Sequence, residues 1–265
     1  MSLFSTDDVA EFRQDALLAA YQAYLPGVTY SDAYLLRQLQ AAEAETAKVL
    51  RVFLEPTYVF PHLPRADEIA ALPTGMPWAE EPGYDYGPGF FESDSWGYLV
   101  LQQKPLIEVH SIVLDYPAPT QGMFAIPRDW IRPDRKYATI RLVPGTSSFV
   151  APLGAFVLQA LGGGSTIPSM IRVTYTAGLT GVKTDPHWAD LLDAIYKKAV
   201  LKVIEGAFLP QSGSIGADGL SQSLSINTQQ YRDQAAEILT GPKGSNGGLR
   251  AYIHGVGGTM LGVLA

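Results

Sequence analysis

The sequence predicts an α+β fold: a helical bundle packed with a small antiparallel β domain and followed by an extended C-terminal arm. Three observations predict it. Apolar residues recur at the 3.6-residue helical period in the first fifty or so residues and again after residue 185. Between those stretches lie short Val-, Ile-, Leu- and Tyr-rich runs separated by Pro, Gly or Asp clusters, with no helix long enough to connect parallel strands. From Leu209 to Thr228 the composition turns to Ser, Gly and Gln, which suits an extended, mobile segment. The expected division is a core of residues 1–207 and an arm of 208–265.

The first helix is expected over about 6–24, where Val9, Phe12, Leu17, Ala20 and Tyr24 form a loose stripe. Ser5 or Thr6 is placed to cap it, Asp7 and Asp8 suit the positive end of its dipole, and Pro26-Gly27 stops it. The second is expected over 31–54. Ser31 caps it, Leu35, Leu36, Leu39, Ala42, Ala47, Leu50 and Phe53 keep the period, and Pro56 marks its end. Glu43, Glu45, Lys48 and Arg51 fall off that stripe. The third, over 186–206, opens with Asp185 as cap and Pro186 in the first turn. Trp188, Leu191, Leu192, Ile195, Ala199, Val203 and Ile204 form its apolar stripe, with Lys197, Lys198 and Lys202 toward the negative end of the dipole.

Strands are expected within 98–176, at Tyr98–Leu101, Ile107–Tyr116, Met123–Ile126, Tyr137–Val143, Ala155–Leu161 and Met170–Tyr175. Residues 61–97 hold Pro61, Pro64, Pro73, Pro77, Pro82 and Pro88, which are expected to preclude regular structure. Trp78, Tyr84, Tyr86, Phe90, Phe91 and Trp96 are too apolar for a free linker, so the stretch reads as a packed insertion. A short helix is expected at about 227–239.

Hydrophobic residues make up 47% of the 265 and charged residues 17%, enough apolar mass for a core and too little charge for a long disordered chain. No cysteine is present, which excludes disulfides, thiolate metal sites and thiol nucleophiles. The net charge of −7 lacks the basic footprint of a chain whose main task is gripping nucleic acid. MSLFSTDDVAEF has acids where a secretion signal carries bases and an apolar run, and no stretch of about 18 apolar residues exists. The expectation is a soluble chain made in the cytoplasm, with no membrane partner.

Catalytic patterns are sparse. His62, His110, His187 and His254 include no i, i+4 pair and no H-E-x-x-H, and there is no G-x-S-x-G elbow. Leu161-Gly-Gly-Gly-Ser-Thr166 lacks the lysine of a phosphate-binding loop, and Pro168 follows where a helix would start, so it reads as a connection between strands. No catalytic, cofactor or metal residue is nominated, and the expectation is a protein that is not an enzyme. Two alternatives stay open. Glu80, Glu81, Asp85, Glu92 and Asp94 include carboxylates of the kind a glycan hydrolase pairs, and the neighbouring aromatics are suited to a sugar-stacking face. Charge is more informative: residues 64–95 sum to −6 and 104–148 to +2. The basic stretch is Arg128, Arg132, Arg135, Lys136 and Arg141, around Asp129 and Asp134. It reads either as a salt-bridged solvated face or as a docking surface for an acidic partner or a second copy of the chain. The apolar end, 251–265, offers Tyr252, Ile253, Met260 and Leu261 as further docking residues, or packs as a terminal hairpin.

Read in order, several segments resemble one family. They are Ala41–Phe53 leading into Leu54-Glu-Pro-Thr-Tyr-Val-Phe60, then Lys104-Pro-Leu-Ile-Glu-Val-His-Ser-Ile-Val-Leu-Asp-Tyr116. Ile126-Pro-Arg-Asp-Trp130 and Thr139-Ile-Arg-Leu-Val143 follow, then Ile171-Arg-Val-Thr-Tyr-Thr-Ala-Gly178 and the helix opening at Asp185-Pro186. This order, over about 31–60 and 98–207, is similar to that of the head-to-tail connector (adaptor) proteins of tailed bacteriophages. The stretch 61–97 and the tail beyond 207 are longer than in small members of that family. The resemblance implies a virion neck protein: a self-associated ring, commonly a dodecamer, docked on the portal protein and joined to a tail or neck protein. Double-stranded DNA passes through its channel without specific binding, and a net-negative ring suits that passage because it does not trap phosphate.

Overall fold

A computed structural model gives the structure of the chain, described here for residues 2–19, 29–87, 89–91, 96–115, 124–143, 166–206, 212–217, 220–225, 228–242 and 247–254. In chain order the elements are α1 (Asp8–Phe12), α2 (Asp32–Leu50), β1 (Thr57–Phe60), α3 (Ala66–Ala70), β2 (Trp78–Glu80), β3 (Tyr84–Tyr86), β4 (Leu99–Val100) and β5 (Leu106–Leu114). Then come β6 (Phe124–Ala125), β7 (Ile131–Asp134), β8 (Thr139–Leu142), β9 (Ile167–Ala177), α4 (Ala189–Gly206), β10 (Ser212–Ala217), β11 (Leu220–Ser225), α5 (Thr228–Thr240) and α6 (Gly248–His254). The class is α+β, as the sequence predicts. The elements form two units: a sheet unit, Val52–Thr180, and a helical unit built from Ser2–Arg51 and Gly181–Ala265. The expected boundary at 207 is not where this division falls.

In the helical unit, the Ser31 hydroxyl accepts from the Tyr34 amide at 3.3 Å and opens α2. Leu35, Leu39, Ala42 and Leu50 are buried along it. The helix stops at Leu50, short of the expected 54, because Arg51 takes a left-handed conformation (φ 57°). Glu43, expected on the solvated side, is buried: its carboxylate accepts from the Leu3 amide at 2.9 Å and from the Ser2 hydroxyl, which ties down the amino terminus. The expected 6–24 helix is broken at residues 13–15. Asp15 turns its carboxylate onto the amides of Leu17 (3.0 Å) and Leu18 (3.2 Å), capping a fresh turn at 16–19.

Asp185 accepts from the His187 amide at 2.9 Å, and a 3₁₀ turn at Pro186–Trp188 leads into α4. That helix buries Leu191, Ala194, Ile195, Ala199, Val200, Leu201, Val203 and Ile204; Leu192 is half-buried. Glu45 on α2 is held by Lys198 at 2.8 Å and Lys202 at 2.9 Å, and Phe12 stacks on Tyr196 with centroids 5.9 Å apart. Within 208–265, expected as an extended arm, the described residues 212–217, 220–225, 228–240 and 248–254 hold regular structure. β10 and β11 form an antiparallel hairpin, and α5 packs against α4 and α6, burying Ala235 and Leu239.

In the sheet unit, one sheet runs β2-β1-β9-β5-β6 with β3 also paired to β9, and a second runs β4-β8-β7. All pairs are antiparallel except β1–β2. β9 is the organising strand, and its Ile171, Val173 and Tyr175 join Ile112, Trp130, Ile140 and Leu142 in one core. It ends at Gly178, whose φ of 126° and a Cβ position only 2.3 Å from the Glu55 carbonyl oxygen leave room for glycine alone. The Leu179 amide then donates to the Phe53 carbonyl at 2.9 Å, so the unit begins and ends side by side.

One expectation is corrected here. The stretch 61–97 is not without regular structure: its prolines fall between α3, β2 and β3 rather than within them. Ile131–Asp134 forms β7 although it contains Pro133, because β7 is an edge strand and needs no donor on its outer side. The expected strand Ala155–Leu161 lies outside the described residues.

Candidate docking surface

The β7–β8 hairpin gathers most of the basic stretch. Asp134 closes the turn by accepting from the amides of Lys136 (3.1 Å) and Tyr137 (3.3 Å), and Ala138 takes a left-handed conformation (φ 51°). The Leu106 amide donates to the Arg135 carbonyl and the Leu101 amide to the Ala138 carbonyl, each at 2.9 Å, which anchors the turn to both sheets. Ile140 and Leu142 of β8 point into the core, so Arg141 between them points out. Register then sets Arg132 directly opposite Arg141, and both are exposed.

The surroundings of this pair are aromatic and apolar rather than acidic. The Arg141 guanidinium lies 5.8 Å from the centroid of Tyr98, and Lys136 lies 5.6 Å from that of Tyr137. Val100 on β4 and Tyr137 are both exposed. Arg132 donates to the Asp129 carbonyl. Arg128 stands apart, with Glu108 of β5 at 4.0 Å. Arg135 and Lys136 occupy the turn. The structure thus brings Arg132, Arg135, Lys136 and Arg141 onto one hairpin.

The remaining nominated residues belong to the helical unit. Tyr252 is exposed on α6, and its hydroxyl bonds the ring of His187 at 2.9 Å. Ile253, beside it on α6, is buried at 5% exposure. Met260 and Leu261 lie outside the described residues.

The acids of 80–94 divide sharply. Glu80 is exposed on β2 and Glu81 is buried at 3% exposure. Both oxygens of Glu81 are engaged, by the hydroxyls of Tyr84 and Tyr175. Burial raises its pKa above the ordinary carboxyl value, against the lowering effect of the Tyr175 bond and the Gln102 amide. Burial also raises the Tyr175 pKa, reinforced by the neighbouring Glu81 charge. Asp85 accepts from the Ser169 amide at 2.9 Å and pins β3 to β9. Glu92 and Asp94 lie outside the described residues. This buried carboxylate with two tyrosines is the constellation that sequence reasoning missed.

The other three histidines each have a hydrogen-bond partner: His62 bonds Glu68 at 3.1 Å, His110 bonds the Thr176 hydroxyl at 2.7 Å, and His254 bonds the Leu50 carbonyl at 2.6 Å. Burial lowers the His110 pKa. Among the described residues no three His, Cys, Asp or Glu side chains gather as a metal site, and no helix is long and apolar enough to cross a membrane.

No protein-family model and no curated protein matches the chain. Among solved structures it is similar to a chain from the neck of an empty GTA particle computed with C6 symmetry. The two share 16% identity at a TM-score of 0.39, over 82% of this chain and 86% of that chain.

Proposed function

We propose that the protein is a head-to-tail connector subunit of a phage-like virion. It forms a ring of its own copies, about twelve, docked on the portal and joined to a tail or neck protein, with an open channel for DNA. It is made in the host cytoplasm and works in the neck, by shape and self-association rather than by bond-breaking chemistry. The observation that carries this reading is where the family-like residues lie. Pro105 and the residues after it open β5, Val173–Gly178 ends the central β9 at a position only glycine fits, and Pro186 opens the turn into α4. The pattern therefore consists of the residues that fix the joints of the fold, which a shared architecture requires. The net charge of −7 suits a lumen along which DNA slides. The basic hairpin, with Tyr252, supplies surfaces for neighbours.

The test is the mass of the purified protein alone and with a portal ring. A defined ring, free or on the portal, is the expected result; a chain that stays monomeric in both conditions refutes the proposal. One observation favours a second reading, a glycan-binding tail module: Trp78 and Trp96 are 42% and 45% exposed. Replacing both with alanine would then abolish glycan binding and leave assembly intact.

A further inference from the structure

Like charges directly opposite on neighbouring strands are destabilising, and Arg132 and Arg141 stand in that relation at the surface of the three-stranded sheet. Nothing among the described residues neutralises them. The Arg132 guanidinium folds onto a main-chain carbonyl, Arg141 lies by the Tyr98 ring, and Asp134 is committed to closing the turn. An anionic group seated between the two guanidiniums would remove the repulsion and gain charge-assisted hydrogen bonds.

The chain carries a matching element elsewhere in the sheet unit. β2 is an edge strand of the larger sheet, with one face exposed. Alternation along the strand sets Trp78 and Glu80 on that same face. No cation pairs with Glu80 among the described residues, and Trp78 is 42% exposed. The stretch around it, 64–95, carries a net −6, whereas 104–148 carries +2.

We propose that the Arg132–Arg141 face receives the β2 strand of a second copy of this chain, with Glu80 between the arginines and Trp78 against Tyr98 and Val100. The proposal rests on the ring reading above and names the surfaces that join its subunits. Trp, Tyr and Arg dominate the energetic centres of protein interfaces, and an indole face is the best partner for a guanidinium. The two patches are different surfaces of one molecule. Their contact is head-to-tail, the kind that closes into a ring when the rotation permits, whereas a self-complementary patch stops at a dimer.

The test uses full-length wild type, Arg132→Ala/Arg141→Ala and Trp78→Ala/Glu80→Ala, followed by sedimentation with and without a portal ring. All four positions are exposed, so thermal melting should confirm that both variants fold. The expected result is that each variant alone loses assembly by at least tenfold in concentration. An equimolar mixture should give a two-subunit complex that grows no further, since it holds one intact pair of faces. A chain combining Glu80→Arg with Arg132→Glu/Arg141→Glu should recover assembly. Variants that assemble like wild type, or a mixture that fails to pair, overturn the inference while leaving the ring reading intact. A wild type that is monomeric in every condition overturns both. Binding of a DNA duplex that disappears in Arg132→Ala/Arg141→Ala, with assembly unchanged, assigns the face to nucleic acid and also overturns it.

Discussion

Glu43 and Glu81 sit at 8% and 3% exposure, each satisfied by donors distant in sequence or on another element. Neither burial is legible locally, because a glutamate off an apolar stripe or in a proline-rich stretch has the same sequence signature as a solvated one. The consequence at Glu81 is a measurable pH dependence. Between the ordinary carboxyl value of 4.5 and its raised folded value, the folded chain holds a proton that the unfolded chain has released. Stability contributed by this group therefore falls as pH rises through that window. Urea midpoints taken from pH 4 to 8 should show wild type losing stability relative to Glu81→Gln as pH rises; a constant difference would contradict the assignment. Gly178 was read from sequence only as the end of a strand motif, and the structure gives its physical reason. A methyl group there would meet the Glu55 carbonyl at 2.3 Å with φ at 126°. Gly178→Ala should cost about 2 kcal/mol or more, read as a lower urea midpoint with an unchanged slope.

The helices were the most legible elements, since caps and the 3.6-residue period are local signals. Ser31, Asp185 and Pro186 perform the roles expected of them. Asp185→Ala should cost about 1 kcal/mol, measurable by thermal or urea denaturation. The expected stripe of α4 includes the half-buried Leu192 and omits the buried Ala194, Val200 and Leu201. Ile195 is fully buried and Leu192 only partly so. Ile195→Asp should abolish folding, because an unpaired buried charge costs several kcal/mol. Leu192→Asp should yield folded protein with a lowered melting temperature; equal effects would place the two residues in the same environment. The short strands were less legible. β2 and β3 hide among prolines, and β7 contains one, because pairing partners far along the chain decide whether three or four residues become a strand. The basic hairpin was visible as composition, but the opposition of Arg132 and Arg141 depends on a register that only the folded sheet defines.

The two units each own a core, so residues 52–180 made alone should give a soluble protein with a β-rich circular dichroism spectrum and a single cooperative urea transition. A molten or aggregated fragment would show that this unit depends on the rest of the chain. The sequence-based boundary at 207 follows a composition shift, and the hairpin and helices described beyond it fall in the same unit as α4. Composition reports solvation and turn content, not which distant helix a segment packs on. The hydrogen bond from the Leu179 amide to the Phe53 carbonyl bears on synthesis. α2 leaves the ribosome well before its packing partner α4, with the whole of residues 52–180 between them. Closing a gap of that size in an unfolded chain costs about 4 kcal/mol of entropy. Once the intervening unit has zipped its two ends together, the gap shrinks to a few residues and most of that cost disappears. The nascent chain thus gains by completing its middle first, leaving the bundle to assemble last around an already shortened tether.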